Sequence, residues 1–184
     1  ENVVDLIQQC FTENANGSLF SLFRDRKDLK YGDSIDSFMT HIGVGKTVIR
    51  VISDKYLKSI YCMIEAYRIQ HYKDDDKRVF TIVMNDADIH SADSIEKYKQ
   101  YWFDQCQDLL KNPSQLENGC YDDYVTVYRF IDNFITTLKD QVYLNLDYTH
   151  VTTVADGTSV TILDTKKPEF DVFMDQVLAK LKTE

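Results

Sequence analysis

Tyr61, Cys62 and Glu65 are the residues whose types and spacing offer chemistry. They lie in the stretch SDKYLKSIYCMIEAYRI, Ser53 to Ile69, which leaves a strong strand and enters a helix. Glu65 follows Tyr61 by four residues and Cys62 by three, so a helix puts all three on one face. An aromatic ring and a carboxylate then point together toward the crevice beyond the strand's carboxyl end, where open α/β sheets bind ligands. The alternative is that Tyr61 packs and Glu65 is a solvated surface acid, and spacing alone favours it. Cys62 reads as a packing residue, because no base stands at a suitable position to activate its thiol. A second charged stretch, FRDRKDLKYGDSI from Phe23 to Ile35, follows a short apolar run and reads as an exposed loop.

Other motifs fall away. GVGKT, Gly43 to Thr47, invites a P-loop reading, but Thr40 stands where the full motif needs glycine. The order there is helix, loop, strand, so no helix N-terminus would meet a phosphate. No GxGxxG follows a strand, which disfavours a dinucleotide-binding dehydrogenase. Asn16-Gly17-Ser18 reads as a plain turn. His41, His71, His90 and His150 are scattered without HxxxH or HxH spacing, so no metal site is expected. Cys10, Cys62, Cys106 and Cys120 form no CxxC pair and read as reduced thiols in the cytoplasm.

Composition bounds the rest. The 184 residues suit one domain, and an apolar content of 43% is too high for disorder. A net charge of −9 disfavours non-specific nucleic-acid binding, which needs a basic face. No apolar run approaches the roughly 20 residues that cross a bilayer. Glu1 to Asp5 has no basic character, so no signal peptide is expected.

The elements that must position these residues follow from periodicity. Residues 2 to 14 read as an amphipathic helix, with Val3, Leu6, Ile7, Cys10 and Phe11 at helical spacing. Ser18 to Arg24 reads as a buried strand, and Ile35 to Ile42 as a short helix. TVIRVIS, Thr47 to Ser53, is the best strand, and RVFTIVM, Arg78 to Met84, is another. Helices are expected over 59–70, 93–110 and 122–139, the second opened by Asp93 and Glu96 as a capping box. Strands alternate with helices and read apolar throughout, which argues a parallel sheet covered on both faces. Val151 to Leu163 carries two β-rich runs around Asp156-Gly157, a hairpin signal. Pro168 to Leu181 reads as a last helix.

The two informative stretches together resemble a bacterial TIR (Toll/interleukin-1 receptor) domain. Phe23 to Ile35 resembles the BB loop after the second strand, with Asp28, Leu29, Tyr31 and Gly32 as its assembly residues. Ser53 to Glu65 resembles the end of the third strand and the helix after it. NAD-cleaving members carry a glutamate there, commonly four residues after an aromatic one; plant members show aromatic-Cys-Leu-x-Glu, which reads Tyr61-Cys62-Met63-Ile64-Glu65 here. The likeness extends to Val79–Asp86 and Tyr98–Trp102, and covers most of the chain. Two departures stand out. Tyr61 takes a place that is often Trp, and the strand that opens such domains would precede Glu1.

The resemblance implies a flavodoxin-like three-layer α/β sandwich with a mainly parallel sheet. It would span 1–145, followed by a C-terminal extension over 146–184. It implies cleavage of the nicotinamide–ribose bond of NAD, by hydrolysis or cyclisation, in prokaryotic antiphage immunity. Glu65 would be the catalytic carboxylate. Tyr61, Asp25, Arg24, Cys62 and Ser53 would line the substrate site. NAD is then substrate, and no cofactor is expected. Expected partners are NAD, further copies of the chain in head-to-tail or filamentous contacts, and a sensor domain, with no nucleic acid and no membrane. A non-enzymatic TIR–TIR adaptor is the alternative.

Overall fold

The computed structural model describes residues 2–14, 47–71, 78–111, 120–146, 148–152, 159–163 and 168–182. Within these, six helices and five strands run in the order α1 (Asn2–Asn14), β1 (Val48–Ile52), α2 (Asp54–Leu57), α3 (Ile60–His71), β2 (Val79–Met84), α4 (Ser94–Lys111), α5 (Cys120–Asp140), β3 (Leu144–Leu146), β4 (Tyr148–Thr152), β5 (Ser159–Leu163) and α6 (Pro168–Lys182). The fold is mixed α/β. A three-stranded parallel sheet has the order β1-β2-β3, and β4 and β5 form a separate two-stranded sheet. The strand expected over 18–24, the helix expected over 35–42 and the charged stretch 23–35 lie outside the described residues.

The chain divides into two compact units, one over Ile49–Tyr143 and one made of Glu1–Val48 with Leu144–Glu184. In the first, β1 and β2 are apolar apart from Arg50 and Thr81. Each is followed by helix, the connection that parallel neighbours require. Helix α5 packs against both α3 and α4. Its face of Val127, Ile131, Phe134, Ile135 and Leu138 is buried. These recur at three- and four-residue steps, the stripe of a helix with one face in a core. Gln70 Nε2 donates to Asn133 Oδ1 at 2.9 Å, tying α3 to α5, and Lys99 on α4 pairs with Asp132 on α5.

In the second unit, Val3, Ile7 and Phe11 of α1 are buried at four-residue steps. Helix α6 buries Phe170, Met174 and Val177 and packs against β3, whose Leu144 and Leu146 are buried. β4 and β5 pair antiparallel with Tyr148 opposite Leu163 and Thr152 opposite Ser159. The hairpin read from the sequence is therefore present, while its Asp156-Gly157 turn lies outside the described residues.

Two elements depart from the sequence reading: the three-residue strand β3 and a short helix after β1. A one-turn helix, α2, stands between β1 and α3. Four residues hold no hydrophobic period to read, so pattern alone could not find it. Its cause is local: extended Ser53 caps it, its hydroxyl accepting from Tyr56 N at 3.1 Å.

Candidate functional site

The site is built where β1 ends, wholly within the Ile49–Tyr143 unit. Ile52 is fully buried at the strand's end, and Ser53 turns the chain into α2. Leu57 N donates to Ser53 O at 3.1 Å and Leu57 is itself fully buried, which anchors the turn. Ser59 then opens α3: its carbonyl accepts from Met63 N at 3.0 Å and its hydroxyl from Cys62 N at 3.5 Å. Two serine-led turns thus deliver Tyr61, Cys62 and Glu65 onto the first two turns of α3.

Helix α4 holds this junction from one side. Tyr98, Tyr101 and Trp102 share one face at steps of three and four residues. Tyr98 Oη donates to Asp54 Oδ1 at 2.9 Å, Tyr101 Oη to Lys58 O at 3.1 Å, and Trp102 Nε1 to Leu57 O at 3.0 Å. Three aromatic side chains from one helix therefore hold the start and end of α2. The two carbonyls they reach stand at the helix's C-terminal end, where backbone acceptors need outside donors. Asp54 also accepts from Lys58 Nζ at 2.8 Å. Burial of Asp54 opposes its charge, but the hydrogen bonds from Lys58 and Tyr98 outweigh that and hold the carboxyl below its ordinary range. Tyr98 shifts the other way, its phenol pushed well up by burial and by the Asp54 acceptor.

The interior of the junction is more unusual. Arg50, the one charged residue of β1, is 6% exposed. Its Nη2 donates to Thr81 Oγ1 on β2 at 3.1 Å, and its guanidinium carbon lies 4.9 Å from the centre of the Phe134 ring on α5. A planar cation stacked on an aromatic face is a favourable way to bury charge. Near it lies Tyr56. Its hydroxyl oxygen is buried and, among the described residues, has no hydrogen-bond partner. Burial first, and then the negative charge of Glu65, hold this phenol well above its ordinary range; Arg50 acts in the opposite sense and Cys62 in the same sense as Glu65. The Tyr56 phenol is thus within electrostatic reach of Glu65, Arg50 and Cys62.

Of the residues singled out in the sequence, Glu65 and Cys62 are half-buried on α3, Cys62 as a free thiol, and Tyr61 is 62% exposed. Ser53 is engaged as the cap of α2. Arg24, Asp25, Asp28, Leu29, Tyr31 and Gly32 lie outside the described residues. Tyr56 and Arg50 were not singled out. Arg50 did carry a signal, as the one charge inside an otherwise apolar strand, since such a residue is buried only with partners. Comparison of the chain with protein-family models, curated proteins and solved structures finds no match.

The remaining features are separate from this junction. A cleft of about 420 Å³ lies along α3 and α5, lined by Tyr67, Gln70, His71, Arg129, Phe130 and neighbours, and Glu65 is not among its lining residues. Among the described residues no group of three or more His, Cys, Asp or Glu could hold a metal ion. Among them, too, no helix is long and apolar enough to cross a membrane.

Proposed function

We propose that this chain is a TIR-type NAD glycohydrolase with Glu65 as its central carboxylate. The observation that carries the reading is the position of Glu65. It is half-buried near the start of α3, which follows the carboxyl end of β1, a parallel strand, through the one-turn α2. Ligands of open α/β sheets bind beyond such strand ends. The order β1-β2-β3 supports the fold part of the proposal: a flavodoxin-like sheet, 2-1-3-4-5, has three consecutive neighbouring strands along one flank. The resemblance of Phe23–Ile35 and Ser53–Glu65 to TIR segments supports the substrate.

The reaction breaks the bond between the nicotinamide nitrogen and the ribose anomeric carbon. The bonding electrons leave with nicotinamide, which departs neutral because it was cationic in NAD. Water adds to the anomeric carbon and loses a proton, giving ADP-ribose; attack by a nitrogen of the adenine ring would give a cyclic product instead. No strong general acid is needed for this leaving group. What the protein must supply is negative charge beside an oxocarbenium-like transition state. Glu65 supplies it and fixes the ribose hydroxyls. Tyr61, exposed at the start of α3, offers a ring on which a base or ribose stacks.

The test is incubation of concentrated protein with NAD, followed by chromatography for nicotinamide. Wild type releases nicotinamide, and Glu65→Gln lowers the rate by roughly 100-fold or more, as expected for loss of a principal electrostatic group. Equal rates for the two proteins remove Glu65 from the mechanism. No nicotinamide from wild type at any concentration replaces the enzyme with an adaptor that works by assembly alone.

A further inference from the structure

The cleft along α3 and α5 has walls of rings, amides and a cation where core packing would put aliphatic residues. Tyr67, Gln70 and His71 share one face of α3 at steps of three and four residues, and Arg129, Phe130 and Asn133 line the other wall from α5. All six belong to the Ile49–Tyr143 unit. Glu65 stands two residues before Tyr67, about 200° around the helix, so the cleft uses a different side of α3. Its volume of about 420 Å³ lies toward the small end of ligand sites, which run from about 300 to 1,000 Å³.

The aromatic groups come first. The Tyr67 and His71 ring centres lie 4.1 Å apart with planes tilted by 36°, and Tyr67 meets Phe130 edge-on at 5.3 Å. Phe130 is buried and leans on Phe134 of the core at 5.2 Å, so this wall is firmly backed. His71 Nδ1 lies 2.7 Å from the Tyr67 carbonyl oxygen. A carbonyl only accepts, so Nδ1 carries the proton, and Nε2 of the neutral ring remains an acceptor. Next is an amide couple. Gln70 Nε2 donates to Asn133 Oδ1 at 2.9 Å, which leaves the Gln70 oxygen as an acceptor and the Asn133 nitrogen as a donor. Reversing both amides would leave the same couple, one donor with one acceptor. That is the pattern that reads the edge of a base; adenine presents its N6 donor beside the N7 acceptor. Last is Arg129. It is exposed, and among the described residues no carboxylate pairs with it. On a chain of net charge −9 such a cation is the group that draws an anion, and its planar fork matches phosphate oxygens.

We infer that the α3–α5 cleft is a binding site for a nucleoside monophosphate, its base set against Tyr67 and His71 with one edge on the Gln70–Asn133 couple and its phosphate on Arg129. A neutral aromatic compound would leave Arg129 unused. A free phosphate would leave the rings and the amide couple unused. One base, one sugar and one phosphate also suit the modest volume. The inference goes beyond the proposed NAD cleavage and does not depend on it, because Glu65 takes no part in the cleft.

The experiment titrates the full chain with adenosine monophosphate, followed by calorimetry and by nitrogen-15 NMR of the side-chain amides. Adenosine and inorganic phosphate are the comparison ligands. Adenosine monophosphate binds more tightly than either. It shifts the Gln70 and Asn133 amide signals, which are assigned by their loss in Gln70→Ala and Asn133→Ala. Arg129→Ala weakens it by roughly 10- to 100-fold, the worth of hydrogen bonds to a charged group. Adenosine binds that variant as it binds wild type, which separates a lost phosphate contact from a damaged fold. No binding at millimolar nucleotide overturns the inference. So does binding that Arg129→Ala leaves undiminished, or that leaves both amide signals unmoved, since the nucleotide then sits elsewhere. Inorganic phosphate that binds as tightly as the nucleotide overturns it as well, in favour of a plain anion site. No turnover is read, so failure of the NADase reading does not enter the result.

Discussion

Asp54 shows how a single side chain can couple the site to the solution around it. It accepts from Tyr98 and Lys58 at the first turn of α2, and its carboxyl sits below the ordinary value of 3.8. A carboxyl with a depressed folded pKa stabilises the fold above its unfolded pKa and loses that contribution as pH falls through the folded value. The window is therefore acidic, below about pH 3.8. The side chains of Lys58 and Asp54 are about one-third exposed, so screening by water limits what the ion pair is worth, and the Tyr98 bond is the more significant partner. Tyr98→Phe removes it at a cost of about 0.5–1.5 kcal/mol near neutral pH. The variant's urea midpoint also falls less steeply than wild type's as pH drops below about 3.8, because part of the acid-sensitive contribution is already gone. Parallel acid limbs in the two proteins would show that Asp54 does not carry it.

At the scale of elements, α4 is the part that fixes the site without belonging to it. Trp102 is 1% exposed and gives its indole N–H to the Leu57 carbonyl at the end of α2. Trp102→Phe keeps an aromatic ring but leaves that carbonyl without this donor, for a loss of about 1–3 kcal/mol in chemical denaturation. NAD cleavage should fall with it even well below the unfolding midpoint, since α3 starts from the turn that Trp102 holds. Full activity in a destabilised variant would separate the two. Much of this architecture was legible from the chain. β1, β2, α1, α3, α4, α5 and α6 follow from runs and stripes long enough to show a period, such as TVIRVIS or the Val127–Leu138 face. The small pieces were not legible. α2 is one turn set by a serine cap, and β3 has only three residues, so neither completes a pattern. Glu65 could be singled out because its spacing from Tyr61 is a local property of the sequence. Tyr56 could not, since the burial of its hydroxyl is set by packing that a single turn of sequence does not show.

For the whole molecule, the open matter is how many copies make a working site. Under the proposed TIR-type reading one protomer's site is completed by a neighbour's loop, a role that would fall to Arg24–Asp33, where basic and acidic residues alternate around Leu29 and Tyr31. Head-to-tail contacts of this type build filaments when their rotation does not close. Activity per molecule should therefore rise with protein concentration, and with a crowding agent or a fused oligomerising partner. Specific activity measured over a wide dilution series, with Glu65→Ala as the blank, decides this. A flat line well above the blank describes a monomeric hydrolase, and a flat line at the blank an adaptor.

Trp102 has one more consequence. It is the sole tryptophan of the chain, so all indole emission comes from the ring that clasps the end of α2. Tyr101 and Tyr124 lie edge-on to it within 5.3 and 5.8 Å, close enough to pass it the light they absorb. The protein therefore carries its own lamp at the turn from which the Glu65 helix departs. Opening of that turn to water would redden and dim the glow.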